Sequence, residues 1–168
     1  MAWVFIHMEK IIKHFRLNPR TFRNHLKVSK AGIVNAKNYQ INRHFSEIGF
    51  SFVLYGSGVI YHWRGEAQIL KPPCVYMQMP DERMTYGPLS GETYDELFFT
   101  YDLEQADYLK WKNYYQTNPP WWRINNFAEV SLAADRLREI ILTSRDTDLA
   151  DQADLICENM LAESILST

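Results

Sequence analysis

Residues 50–73 read Phe50-Ser51-Phe52-Val53-Leu54-Tyr55-Gly56-Ser57-Gly58-Val59-Ile60-Tyr61-His62-Trp63-Arg64-Gly65-Glu66-Ala67-Gln68-Ile69-Leu70-Lys71-Pro72-Pro73. Short runs rich in aromatic and β-branched residues alternate with turn signals, the pattern of strands joined by hairpins. Gly56-Ser57-Gly58 supplies one turn, because glycine reaches positive φ without steric cost. Arg64-Gly65-Glu66 supplies the next, and Pro72-Pro73 ends the ladder because proline donates no N–H. Working outward, Leu26-Lys27-Val28 alternates, with Ala31-Gly32 as punctuation, and Tyr39 to Phe45 alternates apolar and polar over its length. Beyond the prolines, Val75 to Met79 and Met84 to Tyr86 flank a Pro80-Asp81-Glu82-Arg83 loop, and Tyr94 to Tyr101 closes the series. Turns at this spacing indicate an antiparallel sandwich or barrel, not βαβ units.

The flanks have a different period. Ile11, Ile12 and Phe15 allow a short amphipathic helix over Met8 to Phe15, stopped by Asn18-Pro19. Glu104 to Tyr115 reads as helix, and Asn118-Pro119-Pro120-Trp121-Trp122 interrupts it. Asn126 with Glu129 reads as a capping pair for a helix with a Val130, Ala133, Ala134, Leu137, Ile140, Ile141 stripe. A second helix starts at Thr147-Asp148 and carries Leu149, Ala153, Ile156 and Met160, while Asp151 and Asp154 are assigned outside the apolar seams. The two helices form an αα-hairpin whose stripe the barrel, the partner helix or another subunit must cover.

The chain has 168 residues, 46% of them hydrophobic and 23% charged, so it can bury a core as one domain. Aromatic residues are 14%, which suits a cavity with flat apolar faces and polar tips. The net charge of −2 hides an asymmetry: residues 1–45 carry +8 and the remainder −10. Such a basic arm can meet a nucleic-acid backbone, an acidic partner or the body itself. No run reaches the length of a membrane helix, and two cysteines make no disulfide framework, so a reducing cytoplasm is expected.

Signatures of common chemistry are missing. There is no phosphate-binding glycine loop and no Gly-x-Ser-x-Gly elbow. The five histidines are scattered without a His-x-His pair, so no metal cofactor is expected; His62 with Glu66 comes nearest, across a turn. Cys74 reads as a small buried hydrophobe. Glu92, Asp95 and Glu96 are candidate acid–base groups, yet a lone carboxylate cluster argues weakly for catalysis. Binding is favoured over an enzyme.

An ordered set of features resembles the N-terminal effector-binding and dimerisation domain of AraC-type bacterial transcription regulators. Ala31-Gly32 stands at the end of the first strand, followed by Tyr39-x-Ile41-x-Arg43 and by Phe52 to Tyr55 running into Gly56-Ser57-Gly58. Leu70 to Tyr76 stands where the family writes Leu-x-Pro-Gly-Asp and a strand; Pro80 to Tyr86 matches its loop, and Tyr94 to Asp102 its aromatic strand. The helices after residue 126 match its dimerising helices. About 70 residues carry this pattern well.

The resemblance implies a mainly β chain with C-terminal helices: a cupin-like antiparallel β-barrel (double-stranded β-helix) followed by an αα-hairpin. It implies a basic arm at 1–24, an effector-binding barrel at 25–103 and a helical dimerisation and linker region at 104–168. It places Arg43, Met84, Tyr86, Glu96 and Phe98 at the small-molecule effector, often a sugar. It places Val130, Leu137, Ile141, Leu149, Ile156 and Met160 at a homodimer contact. Met84 replaces the family's loop histidine, and Pro73-Cys74 its turn Gly-Asp. A thioether beside Phe98 favours a ligand less polar than a simple pentose. The family's DNA-binding half is lacking here, so the chain is expected to be a fragment that reads no DNA sequence by itself. A cupin-type metal enzyme and a ligand-free dimerisation module are the rival readings.

Overall fold

The computed structural model describes residues 9–23, 25–143 and 149–166. A six-stranded antiparallel sheet has the order β1 (Glu9–His14), β2 (Val28–Lys37), β9 (Tyr94–Tyr101), β4 (Ile48–Val53), β7 (Cys74–Gln78), β10 (Trp121–Arg123). A four-stranded sheet has the order β3 (Ile41–His44), β8 (Arg83–Pro88), β5 (Val59–Trp63), β6 (Glu66–Leu70). Without the edge strands β1 and β10, two facing quartets remain, β2-β9-β4-β7 and β3-β8-β5-β6. That order is an eight-stranded jelly roll, two Greek keys folded on each other. No strand pairs across the two sheets among the described residues, so the expected closed barrel is a two-sheet sandwich.

The hairpin between β5 and β6 shows how local chemistry sets register. Trp63 pairs with Glu66, and Arg64 (φ 50°) and Gly65 (φ 78°) are both left-handed, the geometry of a tight I′ turn.

Strand alternation gives the six-stranded sheet two different faces. Ile48, Phe50 and Phe52 of β4 and Leu97, Phe99 and Tyr101 of β9 point to the helices and form one core with them. This core holds α2 (Phe127–Leu142) and α3 (Leu149–Ile165). The opposite face meets the four-stranded sheet, where a second cluster of Tyr61, Tyr76, Tyr86, Tyr94, Met84 and Cys74 fills one half of the interior.

Several expectations are corrected. Residues 9–14 form strand β1, not a helix (Met8 lies outside the described residues), because the open edge of β2 offers ladder hydrogen bonds to a segment with adjacent Ile11 and Ile12. The strand expected to end at Ala31-Gly32 runs to Lys37; Gly32 instead makes room for Phe98, whose Cζ lies 2.5 Å from where a Cβ would be. The helix expected over 104–115 is a 3-10 turn at Leu103–Gln105 and α1 (Ala106–Trp111). It stops because Asn113 (φ 64°) closes a Schellman motif, Tyr114 N–H to Leu109 O and Asn113 N–H to Lys110 O, both at 3.0 Å. Trp121-Trp122 is no mere interruption, since it begins β10 along β7. Asn126 caps nothing with its side chain; its Nδ2 donates to Glu163 Oε2 at 2.9 Å, tying the start of α2 to the end of α3. Thr147-Asp148, the expected helix start, lies outside the described residues.

The helical stripe is covered within the chain. Val130, Leu137, Ile141 and Met160 are buried in the sheet–helix core, and half-buried Leu149 and Ile156 pack against it. The four buried side chains are used within the chain, while Leu149 and Ile156 keep part of their surface exposed. Asp154 is also misplaced by the sequence reading: it is fully buried, while the exposed large apolar groups among the described residues of α2 and α3 are Leu132, Leu142 and Leu155.

The basic N-terminal third meets the acidic body. Arg16 pairs with Asp102 at 2.5 Å, Arg20 with Asp154 at 2.8 Å, and Lys37 with Glu96 at 2.7 Å. Lys13 Nζ donates to Ile140 O at 3.1 Å and Thr143 O at 2.5 Å, where a cation suits the end of α2.

Candidate functional site

The half of the interior not filled by tyrosines is a cavity of ≈ 250 Å³. That is just below the roughly 300–1,000 Å³ of drug-sized sites, a size for a small metabolite. Its inner wall comes from the sheet face that alternation turns inward: Lys30 and Val34 of β2, Gly49 of β4, Gln78 of β7, Glu96 and Phe98 of β9. Tyr86 comes from the facing sheet, and the segment from Tyr39 to Glu47 forms the rim. Edge strand β1 adds Lys10 and Ile12, two apart and so on one face.

Lys37 reaches this wall through a bulge. The β2–β9 register slips between Val34 and Lys37, and Ala36 there has φ 51°. Its N–H is held by Asp95 Oδ1 at 2.8 Å. The extra residue changes the parity of the strand and turns Lys37 inward. Its Nζ meets Glu96 Oε2 at 2.7 Å, with both side chains no more than 3% exposed. The same ammonium lies 4.8 Å from the centre of the Tyr86 ring and 5.5 Å from that of Tyr39, a cation–π contact.

Glu96 anchors a hydrogen-bonded network. Ser51 Oγ donates to its Oε1 at 3.1 Å and Tyr76 OH to its Oε2 at 3.0 Å. The Tyr76 proton being used, Tyr94 OH is the donor in their 3.0 Å contact. Burial foremost, and then the Glu96 charge, pushes the Tyr76, Tyr86 and Tyr94 phenols up, so all three are neutral donors at physiological pH. Gln78 Nε2 donates to Ser51 Oγ at 2.6 Å and to Tyr86 OH at 3.2 Å. Two groups are left with unused capacity at the cavity. Gln78 Oε1 is buried without a partner, and the Tyr86 hydroxyl proton has no acceptor among the described residues. A buried acceptor left unpaired costs about 1–3 kcal/mol, which a bound donor would recover.

At the rim, burial pushes Glu47 up, but the hydroxyls of Ser29 and Thr100 and the cations Lys30 and Arg16 outweigh it and hold the carboxyl below its usual value. Burial first, then the nearby Arg43 and Lys37 charges, lowers Lys10. Arg43 itself is exposed at the mouth, its guanidinium 4.6 Å from the centre of the Phe45 ring.

Of the residues assigned from the sequence, Arg43, Tyr86, Glu96 and Phe98 line this one cavity. Met84 does not. It is 1% exposed within the tyrosine cluster behind Tyr86, so the ligand polarity argued from its thioether has no basis here. Sequence reading missed Lys37, Gln78 and Lys10. Gln78 sits two residues from Tyr76 on an alternating strand, a signal that was present; Lys37 is masked by the bulge.

The cavity's donor set does not suit a metal ion. Its deepest carboxylate already has an ammonium as counter-ion, and among the described residues the one three-membered group of His, Asp, Glu or Cys with ligand spacing is His25, Asp151 and Asp154, outside the cavity. There Asp154 is bound by the Arg20 guanidinium, which opposes a second cation.

Gly49 tests the site without touching a charge. A Cβ at Gly49 would overlap Gln78 Oε1. In Gly49→Ala the amide is expected to swing into the cavity and release Ser51 and Tyr86, lowering stability by about 1–2 kcal/mol while filling the space a ligand needs. Thermal melting with and without ligand checks both effects, and a variant that melts and binds like wild type would contradict this packing.

A jelly roll of this strand order with a polar cavity between its sheets is the architecture of the cupins. No protein-family model and no curated protein matches the chain. Solved structures similar to it include a cupin 2 conserved barrel domain protein from Salinispora arenicola, at 13% identity over 62% of this chain and 84% of that one, TM-score 0.40. Another is the cupin_2 domain of an XRE family transcriptional regulator from Enterobacter cloacae, at 17% identity over 55% and 95%, TM-score 0.37. A third is a putative ethanolamine utilization protein, EutQ, from Salmonella typhimurium, at 17% identity over 43% and 56%, TM-score 0.36. The chain thus spans little more than half the length of EutQ. The strand order, not these scores, shows the fold, a cupin-like jelly-roll sandwich. Among the described residues no helix is long and apolar enough to cross a membrane.

Proposed function

We propose that this chain is the ligand-sensing domain of a bacterial transcription regulator of the AraC type, binding a small polar metabolite between its two sheets. The carrying observation is the cavity wall: a buried Lys37–Glu96 pair, the Tyr86 phenol and Gln78, whose amide oxygen is unpaired, all line unfilled space. Polar groups so placed are a poor way to fill a core and a good way to recognise a ligand. The ordered strand motifs followed by a helical hairpin support the regulator assignment, and DNA contact belongs to a further domain. A homodimer is part of the same proposal. Because the expected stripe is used within the chain, its contact falls on outward groups such as Leu132, Leu142 and Leu155.

Binding, not catalysis, is the reading favoured by a cavity in which Glu96 is held by three partners and burial keeps the Tyr86 phenol neutral. Thermal shift against a metabolite library tests it. At least one compound should raise the melting temperature, and Tyr86→Phe should weaken that compound by about tenfold, the loss of one buried hydrogen bond. A library without a stabiliser, or a stabiliser indifferent to Tyr86, would sink the sensor.

A further inference from the structure

We propose that the ligand is a small hydroxylated anion, a sugar acid or a sugar phosphate in chemical class, with its charge at Lys10 and Arg43 and its hydroxyls on Glu96, Gln78 and Tyr86. This rests on the reading of the cavity as a ligand site and goes beyond it by fixing the ligand's charge. The cavity is lined by four basic side chains, Lys10, Lys30, Lys37 and Arg43, against two carboxylates, Glu47 and Glu96. Both carboxylates are committed: Glu96 to Lys37 at 2.7 Å, and Glu47 to Lys30 at 3.6 Å, Arg16 at 3.5 Å and two hydroxyls. Lys10 and Arg43 make no ion pair among the described residues.

Two unpaired cations at one mouth repel each other, and the lowered Lys10 records that repulsion, second to its burial. An anion between them removes it. Deeper in, the requirement changes. Gln78 Oε1 needs a donor and Tyr86 OH offers one, the complementary pair that an alcohol, donor and acceptor at once, satisfies. The ring of Phe98, half-buried on the wall, offers an apolar face to the C–H side of a sugar. A volume of ≈ 250 Å³ takes a single ring and excludes an oligosaccharide or a nucleotide.

The test is calorimetry of the whole chain with matched probes: glucuronate, galacturonate and gluconate, the 6-phosphates of glucose and galactose, and the neutral glucose, galactose and sorbitol. At least one anion should bind ten times or more tighter than its neutral counterpart, and its affinity should fall as salt is raised. Lys10→Gln and Arg43→Gln should each weaken that anion about tenfold, the loss of a charge-assisted contact, and leave the melting temperature of the free protein unchanged. The acid and phosphate arms decide which anion the mouth prefers. A neutral sugar bound as tightly as the anions overturns the inference and leaves the sensor reading standing. So does failure of every anion while the metabolite library yields an uncharged stabiliser. Failure of all probes and of the library overturns both.

Discussion

Replacing Asp154 with alanine should cost about 3–5 kcal/mol of folding stability, the range for one partner lost from a buried ion pair. Its side chain is 0% exposed and that of Arg20 6%. One carboxylate holds four donors. Arg20 Nε donates at 2.8 Å and its Nη2 at 3.2 Å; the backbone N–H of Val28 donates at 2.8 Å, and His25 Nε2 lies at 2.9 Å. Arg20 further donates to the carbonyls of Phe15, Asn18 and Val28, so it cannot swing out to water without unfastening the chain between β1 and β2. Asp154→Ala strands that guanidinium and an N–H together. Asp154→Asn keeps an acceptor for Val28 and loses the charge, so its cost should fall between wild type and alanine. Urea unfolding of the three proteins checks the order, and an alanine variant within 1 kcal/mol of wild type would mean that the cluster contributes little.

Glu96→Ala should be comparably severe, about 3–5 kcal/mol, because it leaves Lys37, 2% exposed, without its counter-ion. It also strips acceptors from Ser51 and Tyr76. The double variant Lys37→Met with Glu96→Gln should regain most of that loss, since a buried pair replaced by groups of similar volume is often near neutral. It should still fail to bind ligand. That separation is the useful result: if the pair exists for packing alone, restoring stability restores binding with it, whereas in a sensor the stable double variant is silent to ligand. Full binding by the double variant would remove Glu96 and Lys37 from the recognition surface.

Different physics decided which parts of this molecule were legible in advance. Hairpin chemistry is local. Gly56-Ser57-Gly58 and Arg64-Gly65 carry their backbone geometry in the residues themselves, and the strands they separate form in place. Alternation also reads directly: Glu96 and Phe98, two apart, share the cavity wall. Ile11, Ile12 and Phe15 fit a helical period, and the vacant edge of β2 made the segment with Ile11-Ile12 a strand. Asp154 shows charge outweighing position. It lies four residues after Ala150 and three before Cys157, squarely on the buried seam of α3, yet a carboxylate is read as solvent-facing unless its partner is known. That partner is 134 residues away.

From the amino-acid order alone came most of the antiparallel strands, their turns and the two amphipathic helices, because each depends on near neighbours; four members of the cavity wall came from the family resemblance. Tertiary structure alone decided the rest. It left the sandwich open and covered the helical stripe from within. It withdrew Met84 into the tyrosine layer and, through one extra residue at Ala36, turned Lys37 inward onto Glu96. Those outcomes depend on which distant surfaces meet and on where a buried charge finds its opposite, and neither is written in any local window of the chain.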